Sequence, residues 1–405
     1  MPTPKLRFKG YSSEWPESKL EDLGTFKKGK YLSKSDLSDS GVPCILYGQL
    51  YTIYNEIVRQ VESVTNADIK LLYLSKGGEI LFPCSDVTPT GIACASYLPY
   101  QGVALGGDIH VFNSKCNVSG ALLSYILNSV AKQEILKIAQ GSTVFHTSAS
   151  DLKKISVNLP STIEEQHKIA EFLSTVDEKV EALETKLEAL NSLKKGFMQK
   201  IFSQELRFKD DSGQDYPPFR DTTIGEEGYF YYGKSAPKWS LTDDATTPCV
   251  RYGELYTTHK YQVKEIHSFT NIPVENLKLS KGGEVLIPRV GEEPLDFCKC
   301  AYLPFANVAI GEMISVYNTN HNPLFISYMF NATMKKEFAK RVEGGNVSNL
   351  YYYYLEDIKI SVPCLEEQRK IAEFLSAFDE KIEAVKRQVE AMKQVKKGLL
   401  QQMFV

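Results

Sequence analysis

Residues Gly228 to Ser235 read Gly-Tyr-Phe-Tyr-Tyr-Gly-Lys-Ser, the spacing of a phosphate-binding loop. Such a loop needs small residues, so that backbone N–H groups can close on an anion, and a helix whose first turn points at it. Here four aromatics fill the loop and Pro237 follows two residues after Ser235. The matching stretch Gly24-Thr-Phe-Lys-Lys-Gly-Lys-Tyr31 ends in Tyr31 where the motif wants Ser or Thr. A turn entering a strand is expected rather than a nucleotide site. Two further stretches approach the Asn/Asp-Pro-Pro-Tyr/Phe tetrapeptide of amino-methyltransferases. Tyr216-Pro217-Pro218-Phe219 lacks the leading amide or carboxylate, and Asn322-Pro323-Leu324-Phe325 lacks the second proline. The six histidines are dispersed, and His146 and His167 suit surface donors better than metal ligands. The eight cysteines show no CxxC pair, so buried reduced thiols are expected rather than a disulfide framework or zinc site. The sequence calls for no catalytic residue, cofactor or metal.

What remains is recognition. Lys27, Lys28, Lys30, Tyr47, Gln49, Lys76, Ser142, Thr143, His146 and Thr147 form one set of polar candidates. Lys234, Lys238, Arg251, Glu254, Lys281, Arg289, Asn346, Ser348, Asn349 and Tyr351 form a second, at similar places later in the chain. Lys and Arg suit phosphates, whereas Gln, Asn, His and Arg can read base edges. As groups, the polar segments after Gly141 and Gly344 are the strongest candidates, with no core duty evident. Charge gives no guide, since 47 basic against 50 acidic residues leave −3, and any anion-binding surface must be local.

The elements that must position these residues come from a duplication. Glu164 to Phe202 aligns with Glu366 to Phe404 without a gap, and 22 of the 39 positions are identical. Apolar residues recur at alternating spacings of four and three: Ile169, Leu173, Val176, Val180, Leu183, Leu187 and Leu190, then Ile371, Leu375, Phe378, Ile382, Val385, Val389 and Met392. That is a heptad stripe, which predicts two helices of roughly 50 Å pairing as an antiparallel coiled coil. Lys194 and Lys396 occupy one stripe position in both copies, where they either set register or mark the end of the seam, the last turns then facing a partner.

The repeat reaches further. Leu6-Arg-Phe-Lys9 returns as Leu206-Arg-Phe-Lys209, and Ser75-Lys-Gly-Gly-Glu79 as Ser280-Lys-Gly-Gly-Glu284. Between such anchors the halves diverge, as one scaffold serving two targets would. Short β-branched and aromatic runs predict many strands per half, and each half shows one apolar helix, at Ser119 to Gln140 and about Pro323 to Glu343, stopped by Gly141 and Gly344-Gly345. The expected fold is α+β: two similar mixed domains joined by two long helices. The boundaries are 1–160 for the first domain, 161–205 for the central helix, 206–363 for the second domain and 364–405 for the distal helix, with a polar linker from Asp210 to Asp215. Met1 to Lys5 lacks an apolar leader, and no run nears the ~18 apolar residues of a membrane span, so a soluble cytoplasmic protein is expected.

Taken together, these features resemble the specificity subunits of type I restriction–modification systems. The resemblance rests on the duplicated entry into each long helix, a proline five or six positions before Gln-x-x-Ile-Ala-x-Phe-Leu: Pro160, Gln166 and Leu173, then Pro363, Gln368 and Leu375. It rests also on the Leu-x-Phe opening of each half and covers essentially the whole chain. It implies two target-recognition domains related by a pseudo-twofold, each reading half of a split site in double-stranded DNA. It further implies no catalysis of its own, with two modification (methyltransferase) subunits docked near the helices and restriction subunits supplying ATP-driven translocation and cleavage. On this reading the helices act as rulers, so added heptads after Leu190 would widen the unread spacer. A coiled-coil adaptor for two protein ligands is the competing reading; it explains the helices and the neutral charge but not the equivalently placed lysines and polar loops.

Overall fold

The structure is a computed structural model that describes residues 4–141, 143–345 and 347–405, apart from the side chain of Pro89. Its contacts divide the chain into two units, Met1–Thr185 with Lys386–Val405, and Lys186–Val385. The divisions fall within the two long helices, so each unit holds one globular domain, the first half of the helix that follows it and the last turns of the other helix.

In the first unit a five-stranded sheet runs in the order Leu37–Ser38, Ser63–Thr65, Val42–Ile45, Gln101–Leu105, Leu74–Lys76. Val42–Ile45 and Gln101–Leu105 pair in parallel, with Cys44 opposite Ala104. A four-stranded antiparallel sheet follows the order Gly24–Lys28, Ile109–Ser114, Glu79–Pro83, Ser96–Leu98. Glu79–Pro83 is buried along its length, which explains its near-continuous apolar run. The buried Glu79 accepts the Lys76 N–H at 2.6 Å, closing a turn in which Gly77 and Gly78 adopt φ of 84° and 96°. Only glycine enters that region without strain, and Gly282 and Gly283 repeat it at 85° and 106°.

The apolar helix expected from Ser119 to Gln140 is two helices, α1 (Gly120–Asn128) and α2 (Lys132–Ile138). Ser119 caps α1 by accepting the Leu122 N–H. At the break, the Ser129 hydroxyl donates to the Tyr125 carbonyl at 2.6 Å and the Asn128 amide to Ala95; side chains that bond locally compete with the helical ladder. Gly141, at φ 141°, lies beyond the helix end and does not cap it. The first long helix, α3, runs Ile163–Phe202, 40 residues or about 60 Å.

The second unit repeats this plan. Its sheets follow Ser268–Thr270, Thr247–Val250, Ala306–Ile310, Leu279–Lys281 and Gly228–Tyr232, Ile314–Thr319, Glu284–Pro288, Ala301–Leu303. A small three-stranded sheet joins Val290–Gly291, Ser348–Asn349 and Glu343–Gly344. Again two helices replace the expected one, α4 (Pro323–Thr333) and α5 (Lys335–Ala339), and Gly344 is strand. The last helix, α6, runs Leu365–Met403.

The two long helices pack antiparallel in each unit. Glu184 pairs with Lys393 and Asp177 with Lys396 in the first, and Phe197 lies against Phe374 and Phe378 in the second. Ile169, Leu173, Val176, Val180 and Leu183 are buried, as are Ile371, Leu375, Ile382, Val385 and Val389; Leu187, Leu190, Phe378 and Met392 are half-buried. The seam does not stop at the lysines. Met198 and Ile201 enter the core of the second unit beside Phe325 and Leu375, and Met403 and Phe404 enter that of the first beside Leu123 and Leu173. The final turns therefore complete a domain core rather than wait for a partner.

The repeated Glu-Glu-Gln at the head of each long helix is an internal clasp. Arg7 forks onto buried Glu165 at 2.7 and 2.8 Å, and Arg207 grips Glu367 in the same way. Gln166 accepts the Ser119 N–H and donates to the Pro160 carbonyl; Gln368 accepts from Asn322 and donates to Pro363. Five cysteines are buried as expected, but Cys116 is exposed and Cys94 and Cys364 are half-buried.

Candidate nucleic-acid interface

The phosphate-loop spacing is explained by sheet packing. Gly228–Tyr232 is a strand paired with Ile314–Thr319. A Cβ at Gly233 would meet the Gly311 carbonyl at 2.1 Å, as one at Gly29 would meet that of Gly106. The glycines permit a close backbone crossing, and no helix N-terminus follows to face an anion.

In the first unit the candidates separate into those at one end of the sheet and those that structure consumes. Lys28 ends its strand opposite His110 and lies 3.8 Å from Asp108. Asp108 shares a cavity of about 960 Å³ with Tyr31, Tyr47, Tyr51 and the Lys34–Asp36 turn. The rings of Tyr47 and Tyr51 are 6.4 Å apart, and Asp86 beside Tyr51, together with burial, pushes that phenol up to about 12. Asp86 in turn pairs with Phe145, and exposed His146 with Ser85. One loop face thus gathers Lys28, Tyr31, Tyr47, Tyr51, Asp108 and His146. Exposed Lys30 and Thr143 sit on its loops, whereas exposed Lys27, one residue before Lys28, points from the other side of its strand.

Several candidates are corrected. Thr147 is buried; its hydroxyl donates to the Pro83 carbonyl and its own carbonyl contacts His110 Nε2 at 2.9 Å. Burial lowers the His110 pKa, so that ring is a neutral prop for the 143–147 segment. Gln49 accepts the Leu46 N–H and donates to Ser63 at 2.7 Å, spending its amide on a turn. Glu254 does the same with Arg251 N–H and Ser268. Lys76 belongs to the Gly-Gly turn at the other end of Glu79–Pro83, roughly 13 Å away at ~3.3 Å per residue. That turn lies against the start of α1, so Lys76 and its counterpart Lys281, though exposed, leave the face. Ser142 and Asn346 lie outside the described residues.

In the second unit the same end of the sheet carries different side chains. Arg289 follows strand Glu284–Pro288, and its carbonyl accepts the Leu350 N–H, tying it to the Ser348–Asn349 strand. Its guanidinium lies 4.8 Å from the Tyr232 ring with Nη2 3.1 Å from Met313 Sδ, and its Nε is buried without a hydrogen-bond partner. Tyr232 touches Tyr352, which stacks on Phe230 at 5.4 Å, and Tyr351 stacks on exposed Tyr353 at 5.6 Å. Lys234 and Lys238 are exposed, Arg251 and Asn349 half-buried; Ser348 is buried and its hydroxyl faces Gly345. The sequence reading missed Tyr31, Tyr51, Asp108, Tyr232, Tyr353 and Trp239. Tyr31 and Trp239, 68% and 71% exposed, had a signal: large aromatics one residue after a lysine in a loop, free of core duty.

The two faces share a scaffold and differ in chemistry. Cys84, with burial pushing its thiol up to about 11, stands at the place of Arg289 (offset 205), and Asp86 at that of Gly291. Cations that hold phosphates and aromatics that pack on sugars and bases surround both. Among the described residues no cluster of His, Cys, Asp or Glu could hold a metal, and no helix is long and apolar enough to cross a membrane.

Comparison with known proteins bears on this duplicated design. The sequence model of the family described as "Type I restriction modification DNA specificity domain" matches residues 12–192 and again 232–394. The chain is 26% identical over 298 residues to the putative type I restriction enzyme MjaX specificity subunit of Methanocaldococcus jannaschii, covering 71% of this chain and 68% of that one. It is 22% identical over 406 residues to the MjaIX specificity subunit of the same organism, with 96% and 92% covered. In fold it is similar to the crystal structure of the S subunit of a type I restriction-modification system from M. genitalium, with a TM-score of 0.67, 18% identity and 100% and 99% of the chains covered.

Proposed function

The chain belongs to the family of type I restriction-modification DNA specificity domains, and on that premise we propose that each of its globular domains reads one half of a bipartite site in duplex DNA. The observation that supports this reading is the loop face built twice on one scaffold with different side chains. In the first unit it presents Lys28, Tyr31, Tyr47, Asp108 and His146; in the second, Lys234, Arg289, Asn349, Tyr351 and Tyr353. Lysines at the rim take phosphates, and the central polar and aromatic groups take base edges. Arg289, with no carboxylate partner among the described residues, has the chemistry of the commonest guanine reader.

The long helices set the unread spacer and dock two modification subunits, which methylate adenine; ATP-driven translocation and cleavage belong to restriction subunits. The chain itself contributes recognition rather than catalysis. The test is methylation mapping in a strain carrying this chain and its partner subunits. Exchanging residues 1–158 for another member's domain changes one half-site and leaves the other. Altered methylation in both halves contradicts independent reading. Duplex binding by the assembled complex falls steeply between 50 and 200 mM salt if lysines hold phosphates; binding indifferent to salt favours the protein adaptor.

A further inference from the structure

The duplication places one lysine at the same step of each long helix, and the two units surround it differently. In the first, Lys396 Nζ lies 2.9 Å from Glu56 and 2.8 Å from Asp177. In the second, Lys194 Nζ lies 2.6 Å from Asp379 alone, with the Tyr261 ring at 3.7 Å and the Tyr328 ring at 4.8 Å. Asp177 and Asp379 are equivalent (offset 202), each also accepting a tyrosine hydroxyl, from Tyr125 and Tyr328. Glu56 and Tyr261 are equivalent (offset 205), so the second unit has a ring where the first has a second carboxylate. Lys194 is 5% exposed yet lines a cavity of about 670 Å³ with Lys195, Lys260, Tyr261, Asn331 and Asp379.

We propose that Lys194 is a covalent modification site, an amine that accepts an acyl group from a small anionic donor of the acyl phosphate class entering this cavity. The groups facing Nζ are Asp379 on α6, Tyr328 on α4, and Tyr261 and Lys260 on the loop after Tyr252–Thr257, with Lys264 further off and Lys195 on α3 itself. One carboxylate does not offset the burial of the ammonium, so the proton is held weakly, down to about 8. At Lys396 two carboxylates outweigh burial and hold the proton more tightly than usual. Lys195 and Lys260 supply positive charge for the donor's phosphate, Lys260 sharing its charge with Glu383 at 3.3 Å. In the step, the neutral Nζ attacks the acyl carbon, the C–N bond forms and the C–O bond to phosphate breaks. Asp379 takes the proton shed by nitrogen and the departing phosphate carries it away as hydrogen phosphate. The product amide has lost its charge, so the tie between α3 and Asp379 is cut in the second unit alone.

The probe is acetyl phosphate, incubated with the full-length chain at pH 8, with initial acetylation rates at each lysine read by peptide mass spectrometry. Lys194 is expected to react at least about tenfold faster than Lys396, its internal control, because far more of it is neutral. Tyr261→Glu, which installs the first unit's arrangement, should bring the Lys194 rate down to that of Lys396 while exposed Lys186 is unchanged; Glu56→Tyr should raise Lys396. A Lys194 rate in the wild-type chain no greater than that of Lys396 overturns the proposal, whether or not the variants fold, as does a folded Tyr261→Glu variant whose Lys194 reacts unchanged.

Discussion

At the residue scale the two buried lysines make the sharpest predictions, because the duplication supplies each with a control. Asp379→Asn leaves the Lys194 ammonium buried with no carboxylate, a loss in the range of about 3–5 kcal/mol. Asp177→Asn leaves Lys396 with Glu56, and the cost should be near 1 kcal/mol. Denaturant titration of the two variants, with hydrogen exchange to locate the weakened unit, checks the order. The sign of the pH effect is also fixed. The folded pKa of Lys194 is about 8 against 10.5 for an unperturbed lysine, so between those values the unfolded chain binds more protons. Stability from this group therefore rises with pH above about 8, approaching about 1.4 kcal/mol per pH unit. Burial raises the pKa of Tyr328, so its titration subtracts stability only above about pH 10. Between pH 8 and 9.5, Lys194→Met should lose this positive slope; an unchanged slope sinks the assignment.

At the element scale, the long helices were the most legible part of the sequence, since a heptad stripe carries its own periodicity. Their partners were less so. The stripe showed Lys194 and Lys396 as oddities, but only the fold brings Asp379 and Asp177 beneath them. The near-identity of the two helices follows from the same contacts: Glu165, Gln166, Lys194 and Ile201 each have a counterpart with the same internal task, so neither copy is free to drift. The recognition face was half legible. Lys28, His146 and Arg289 were found from residue type. Thr147, Gln49 and Glu254 have the same type but serve turns, a distinction made by hydrogen bonds that spacing does not reveal. The sequence order also misleads about ownership. Ile201 ends the helix after the first domain yet belongs to the core of the second unit, and Met403 belongs to that of the first. Ile201→Ala should therefore destabilise the second unit, and Met403→Ala the first, by about 2–5 kcal/mol each. Hydrogen exchange that showed Ile201→Ala loosening residues 1–160 instead would contradict the exchange of helix ends.

At the scale of the whole molecule, the helices' role as a ruler for the proposed split site is open to a direct test, and the structure changes how it must be built. Lengthening α3 alone after Leu190 moves Lys194 and Phe197 away from Asp379 and Phe374, breaking pairs inside the second unit. A matched insertion avoids this. One heptad after Thr185 in α3 and one after Val385 in α6 fall at the boundaries between the units and keep every pair within each unit intact. Seven residues preserve the apolar stripe and add about 10 Å of helix. At ~3.4 Å per base pair that corresponds to about three extra base pairs between the half-sites. Methylation mapping with the doubly lengthened chain should return both original half-sites with the spacer widened by that amount. The single insertion after Leu190 should lose methylation through loss of structure. Original spacing in a folded, doubly lengthened chain would mean that something other than helix length sets the gap.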